Sequence, residues 1–182
     1  MIKISIIIPV FNSERTIEPL VKSLINEFED KYETEIILIN DFSEDNSEEL
    51  CIELYDSFPD KIKFYSLGKN FGEHNAVMAG LNHTSGDWII VMDDDFQNPV
   101  EEVEKLIQFS ISNTYDVVYT YYEHKKHSLL RNYGSAMSNL IANYMLKKPK
   151  DLYLSSFKSI HRNIVIEIIK YQLPYPYIDG LI

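Results

Sequence analysis

Apolar residues along this chain fall into two alternating patterns: short unbroken runs, and longer stretches that repeat every three or four positions. Ile4 to Val10 is a continuous run that ends at Pro9; Ile17, Leu20, Val21, Leu24, Ile25 and Phe28 then recur at helical spacing, with Ser13 or Thr16 as the cap. Glu35 to Asn40 predicts a second strand, and Leu50, Cys51, Leu54, Tyr55 and Phe58 a second helix. Lys61 to Leu67 alternates as a third strand, and Gly68-Lys69-Asn70-Phe71-Gly72 turns the chain into a helix carrying Ala76, Val77, Gly80 and Leu81. A fourth strand follows Gly86, then a helix from Pro99 to about Ser112 and a fifth strand from Tyr115 to Tyr121. This alternation predicts an α/β fold, a mostly parallel sheet with helices on both faces. The loops after the first four strands would gather on one edge.

From Ser128 to Lys147 the set Leu129, Leu130, Tyr133, Met137, Leu140, Ile141, Tyr144 and Met145 fits one long amphipathic helix, whose apolar face suits core packing ahead of lipid contact. Leu152 to His161 reads as a strand, Asn163 to Tyr171 as a helix, and Leu173 to Tyr177 as an extended loop. No internal repeat, low-complexity tract or interdomain linker interrupts the pattern.

The fourth strand runs into Asp93-Asp94-Asp95. Adjacent carboxylates repel unless a cation, a basic partner or a proton relieves them, so the run points to a divalent metal. Strand alternation would put Asp93 and Asp95 on one side and Asp94 on the other. With Gln97 adding a carbonyl, the donors are all oxygen, which suits Mg²⁺ or Mn²⁺ rather than Zn²⁺. The alternative is that these acids only serve the turn. Asn98 as N-cap, Pro99 at the first helical position and Glu101 closing a capping box already supply that turn. Asp93, Asp95, Gln97 and Glu104 also match positions of a calcium-binding EF-hand loop, but Asn98 stands where that loop requires glycine.

A chain of 182 residues, 45% hydrophobic, suits one domain with a substantial core. Met1 to Val10 carries one lysine and stops at Pro9, so it reads as a strand rather than a signal peptide. No apolar stretch reaches the length of a membrane span. Cys51 is the only cysteine, which excludes an internal disulfide and fits a cytoplasmic setting. The net charge of −11 argues against nucleic acid as a partner. Its distribution is uneven. Between His124 and Arg162 stand eight Lys or Arg and one acid, Asp151, on an otherwise acidic body.

Four ordered motifs carry a resemblance. Ile6-Ile7-Ile8-Pro9-Val10-Phe11-Asn12-Ser13-Glu14 is similar to the opening strand and nucleotide loop of the family 2 glycosyltransferases of the GT-A (Rossmann-like) fold. Asn40-Asp41-Phe42-Ser43-Glu44-Asp45 resembles their D-x-S-x-D loop, Asn70-Phe71-Gly72 through Ala76 to Gly80 their N-x-G-x-x-x-A-x-x-x-G segment, and Asp93 to Pro99 their D-x-D-x-Q-x-P signature. The likeness is closest to the polyprenyl-phosphate sugar transferases, such as dolichyl-phosphate mannose synthase and bactoprenol glucosyltransferase.

The resemblance implies an inverting transfer of a sugar from a UDP- or GDP-linked donor to a polyprenyl phosphate. The alternative acceptor is a saccharide hydroxyl, as in cell-wall or polysaccharide synthesis. Pro9, Asn12, Glu14, Asp41, Asn70, Gly72 and Asp93 would line the nucleotide site. Asp93, Asp95 and Gln97 would hold Mg²⁺ or Mn²⁺ on the diphosphate, and Asp94 would be dispensable. Arg131, Ser156, Lys158 and Arg162 would bind the acceptor, the last three resembling a D-F-R-x-x-x-R segment with Ser156 in place of its Asp and Lys158 in place of its first Arg. Asp95 and Arg131 would act in catalysis, and Asp179 would be either a base for an alcohol acceptor or a turn residue. A non-enzymatic calcium module is the rival from another class. Residues 1–182 would form one catalytic domain, with 1–123 as the nucleotide-sugar and metal part and 124–182 as an incomplete acceptor part. The full-length protein would work at the cytoplasmic face of a membrane, with room for peripheral membrane contact and a homo-oligomer.

Overall fold

A computed structural model describes residues 2–113, 115–121 and 154–182. In chain order its elements are β1 (Lys3–Val10), α1 (Ile17–Phe28), β2 (Glu33–Asn40), α2 (Ser47–Ser57), β3 (Ile62–Ser66), α3 (Glu73–Asn82), β4 (Trp88–Val91), α4 (Val100–Ser112), β5 (Val117–Tyr119), β6 (Lys158–His161), α5 (Arg162–Ile168) and α6 (Ile178–Leu181). The strands form one sheet in the order β3-β2-β1-β4-β6-β5. β1 pairs in parallel with β2 and β4, and β2 with β3, as the alternation predicts. The helix of 128–147 expected from the apolar pattern lies outside the described residues, as does Arg131.

Side-chain alternation along β1 splits the core into two layers. Ile4, Ile6, Ile8 and Val10 meet α1, α2 and α4, while Ile7 meets α3, joined there by residues of α5 and α6. Gly80 lets α3 approach the sheet closely, since a Cβ there would stand 2.5 Å from the Ile7 side chain. Cys51 is buried in the first layer, and burial pushes its thiol up to about 12, so it behaves as a small hydrophobe.

Two expectations are corrected at the far end of the sheet. The fifth strand is only Val117–Tyr119, and the strand expected over Leu152 to His161 is Lys158–His161, inserted antiparallel between β4 and β5. α4 begins at Val100 with Pro99, not Asn98, at the N-cap position and no side-chain cap bond; Asn98 is buried instead. The loop after β4 therefore does not form the predicted capping box.

Glu35 makes a buried polar knot at the opposite edge from the aspartates. Its carboxylate accepts from Ser5 Oγ at 2.6 Å, Ser85 N at 2.6 Å and Ser85 Oγ at 2.8 Å, and pairs with Lys63 at 2.8 Å. Burial alone would push Glu35 upward, but the Lys63 charge and these hydrogen bonds outweigh it and hold the group at about 2 against an ordinary 4.5. A depressed folded value means stability present above about pH 4.5 and lost as pH falls towards 2, on the order of 3 kcal/mol. Urea midpoints should fall steeply for the unaltered protein as the pH is lowered from 6 to 2, and less steeply for Glu35→Gln from a lower plateau. Parallel curves would contradict this assignment.

Candidate functional site

The strand order reverses between β1 and β4, and an open α/β sheet binds its ligands at such a switch point, beyond the carboxyl ends of the strands. Here Pro9, Val10 and Phe11 at the end of β1, Asp41 after β2, Asn70, Gly72 and Glu73 at the start of α3, and Asp93 and Asp94 after β4 line a cleft of about 270 Å³. A neighbouring hollow of about 420 Å³ is lined by Asn12, Glu14, Asp45, Asp94 and Asp95 among others. Asp94 belongs to both.

Hydrogen bonds lock the loops that shape these hollows. Asn12 N donates to Ser43 Oγ at 3.0 Å, and Glu44 N to Asn12 Oδ1 at 2.8 Å. Ser13 N donates to Ser47 Oγ at 2.7 Å, Glu14 N to Asp45 Oδ2 at 3.1 Å and Asn46 N to Glu14 Oε2 at 3.3 Å. Asn12 and Glu14 thus fasten the β1 loop to the β2 loop. The backbone is strained at this edge: Asn12, Phe42 and Phe96 have φ of 54°, 64° and 60°, which bulky L-residues rarely adopt.

Asp41 is buried, and its carboxylate accepts from Phe71 N and Gly72 N, each at 2.8 Å. It fixes the turn into α3, where Gly72 takes φ 87°, as only glycine does without strain. The residue expected to contact the nucleotide therefore anchors the entry to α3.

β4 ends at Val91, so strand alternation does not reach the three aspartates. Each takes a separate task. Asp93 accepts from Ser156 Oγ at 2.6 Å. Asp94, expected to be dispensable, accepts from Ser13 Oγ and from Phe11 N at 3.2 Å, tying the β4 loop to the β1 loop. Burial pushes Asp94 up more than these bonds pull it down, and Asp95 beside it adds to the rise. Asp95 is exposed and accepts from Gln97 N at 3.0 Å and Gln97 Nε2 at 2.5 Å, which leaves the Gln97 carbonyl oxygen as a further donor. Glu73 stands on the cleft rim, and desolvation by the cleft walls, then the Asp93 charge, push its carboxyl above the ordinary range.

No three Asp, Glu, His or Cys side chains converge as a ready metal cage among the described residues. Mg²⁺ and Mn²⁺ do not demand one, because one or two carboxylates plus substrate phosphates suffice. Asp93 lines the cleft and Asp95 the neighbouring hollow, and their oxygens, with the Gln97 carbonyl, are of the chemical kind such an ion takes.

On the β6 side, antiparallel pairing puts Lys158 opposite Val91 and His161 opposite Trp88. Lys158 is buried and ion-paired with Asp179, which also accepts from Tyr119 Oη at 3.1 Å; the ammonium lies 5.3 Å from the Tyr119 ring centroid. Arg162 follows the strand to the opposite edge, on the order of 13 Å from Lys158. There its guanidinium donates to Thr84 O and Thr84 Oγ1, both at 2.8 Å. The structure therefore groups Ser156, Lys158 and Asp179 at the cleft and separates Arg162 from them.

With this geometry in place, comparison with known proteins is decisive on one point. The model of the family "Glycosyl transferase family 2" matches residues 5–169. The chain belongs to glycosyl transferase family 2. Among solved structures this family 2 chain is similar to glucosyl-3-phosphoglycerate synthase from Mycobacterium tuberculosis in complex with UDP, with 20% identity, a TM-score of 0.70, and coverage of 92% of this chain and 59% of that one. The same enzyme with Mn²⁺, UDP-glucose and phosphoglyceric acid gives 20% identity, a TM-score of 0.69 and the same coverages. A structure titled only as a mycobacterial protein gives 15% identity and a TM-score of 0.71, over 92% of this chain and 55% of that one. These likenesses bear out the GT-A-type α/β fold. The chain spans less than two thirds of the length of each. No helix among the described residues is long and apolar enough to cross a membrane.

Sequence reasoning missed Glu73, Asp94 and Tyr119. An acid directly after the glycine that opens α3 was a readable sign for Glu73. Nothing local distinguished Asp94 from its neighbours, and Tyr119 meets Asp179 only through the inserted strand.

Proposed function

We propose that this domain transfers a sugar with inversion from a nucleotide diphosphate sugar, a uridine one ahead of guanosine, to the phosphate of a polyprenyl phosphate. The donor half rests on the acidic cleft where the loops after β1, β2 and β4 meet the start of α3, in a chain of this family. UDP-glucose and Mn²⁺ in the related synthase support the donor and metal class. Asp93, Asp95 and Gln97 would hold Mg²⁺ or Mn²⁺ on the diphosphate. That ion neutralises the charge accumulating on the leaving group. Pro9, Phe11 and the turn held by Asp41 wall the nucleotide, and the acceptor approaches from the β6 side.

One observation favours an anionic acceptor. An alcohol needs a general base, and Asp179, the residue expected for that task, is occupied by Lys158 and Tyr119. A phosphate acceptor is already ionised and needs only positive groups to hold it. Arg131 and the other basic residues of 125–150 are assigned to that task and to contact with an anionic membrane surface.

Calorimetry with UDP, GDP and ADP, with and without Mn²⁺, tests the donor half. UDP should bind in a Mn²⁺-dependent way, and Asp95→Ala should weaken it on the order of 10–100-fold. Binding that ignores both metal and Asp95 would overturn the reading. Transfer from UDP-glucose offered to a short polyprenyl phosphate and, separately, to phosphoglyceric acid tests the acceptor. Product on phosphoglyceric acid alone would replace the lipid phosphate with a hydroxyl acceptor.

A further inference from the structure

Residues 155–158 form a short bar clamped on both sides. Phe157 is sunk in the larger core layer, its carbonyl accepts from Thr120 Oγ1 at 2.8 Å and Thr120 N at 3.3 Å, and its N donates to Ser155 Oγ at 3.2 Å. Lys158 is tied down by Asp179. Between these fixed points, Ser156 presents its hydroxyl to Asp93 Oδ2 at 2.6 Å, across 63 residues of sequence. The segment resembles one that contacts the acceptor, yet its first side chain is spent on the donor-side aspartate.

Resting on the function proposed above, we infer that Ser156 is a positioning residue for the donor site: it fixes the Asp93 carboxylate for the metal and nucleotide rather than touching the acceptor. Asp93 sits beside Asp94 and near Glu73, so neighbouring negative charge drives it to rotate away. A neutral hydroxyl donor opposes that rotation without introducing a competing cation. A hydrogen bond to a ligating carboxylate orients it, as outer-shell partners of metal ligands do. An aspartate at 156 would place a second negative charge 2.6 Å away; serine at this position makes the fixed Asp93 compatible with its acidic surroundings.

Mn²⁺ titrations in the presence of UDP, read by calorimetry on the whole chain, test the inference without turnover. Ser156→Ala should raise the Mn²⁺ concentration for half-saturation about tenfold. Ser156→Thr, which keeps the hydroxyl, should stay within about twofold, and both should melt within about 2 °C of the unaltered protein. An unchanged half-saturation in Ser156→Ala overturns the inference while the functional reading stands. A threonine variant as impaired as alanine also overturns it, because the hydroxyl is then not the active element. If the unaltered protein shows no Mn²⁺-dependent UDP binding, the functional reading falls and this inference falls with it.

Discussion

Replacing Lys158 with methionine should destabilise the protein by about 3–5 kcal/mol, lowering the melting temperature by roughly 6–20 °C. The ammonium is buried and the Asp179 carboxylate nearly so, their side chains 4% and 10% exposed, so the substitution leaves a charge with little water around it. Tyr119 donates to the same carboxylate and softens the loss without replacing the positive charge. Removing both partners has a different consequence. The double change Lys158→Met with Asp179→Leu should restore most of the lost stability, since two matched apolar groups carry no desolvation cost. A thermal or urea double-mutant cycle reads the coupling directly. Additive single effects would show that the pair is not an energetic unit, and would reopen Asp179 as an available base.

Asp41→Ala should have the second-largest effect, roughly 3 kcal/mol, or about 6–12 °C in melting temperature. Its two carboxylate oxygens each take one backbone N–H at the entry to α3, and bonds to an ionised acceptor are stronger than neutral ones. Without them the turn through Phe71 and Gly72 loosens, and with it the wall of the cleft. Nucleotide affinity should therefore fall together with stability. Asp41→Asn keeps one carbonyl acceptor and should fall between the two. If Asp41→Ala lost nucleotide binding with no change in melting, its role would be direct contact with the ligand and not anchoring.

Much of the fold was legible because its first part obeys local rules. Apolar runs such as Ile4 to Val10 and Glu35 to Asn40 became parallel strands, and the periodic set from Ile17 to Phe28 became α1. β6 was only partly legible. Its four residues, Lys158 to His161, carry a lysine, a serine and a histidine, and no local pattern states that such a strand will enter the sheet antiparallel. That one reversal explains the site errors as well. Lys158 read as an acceptor-binding group and is buried against Asp179, while Arg162, four positions later, was grouped with it and is carried to the opposite edge. The aspartate run stood out in the sequence, but its division of labour was hidden because Asp93 and Asp94 take partners far along the chain, Ser156 and Ser13.

The insertion of β6 also sets a timetable for the ribosome. β4 is fully buried, and one of its two long sides is covered by a strand whose first residue, Lys158, is made 67 positions after Val91, its pairing partner. At ordinary rates of synthesis that interval lasts roughly 3–13 seconds. Throughout it, Trp88 to Val91 presents an open, apolar strand edge of the kind that recruits other chains. A nascent chain of this protein is therefore most vulnerable to aggregation after the loops of its acidic cleft have been made, and β6 closes that window as it completes the sheet.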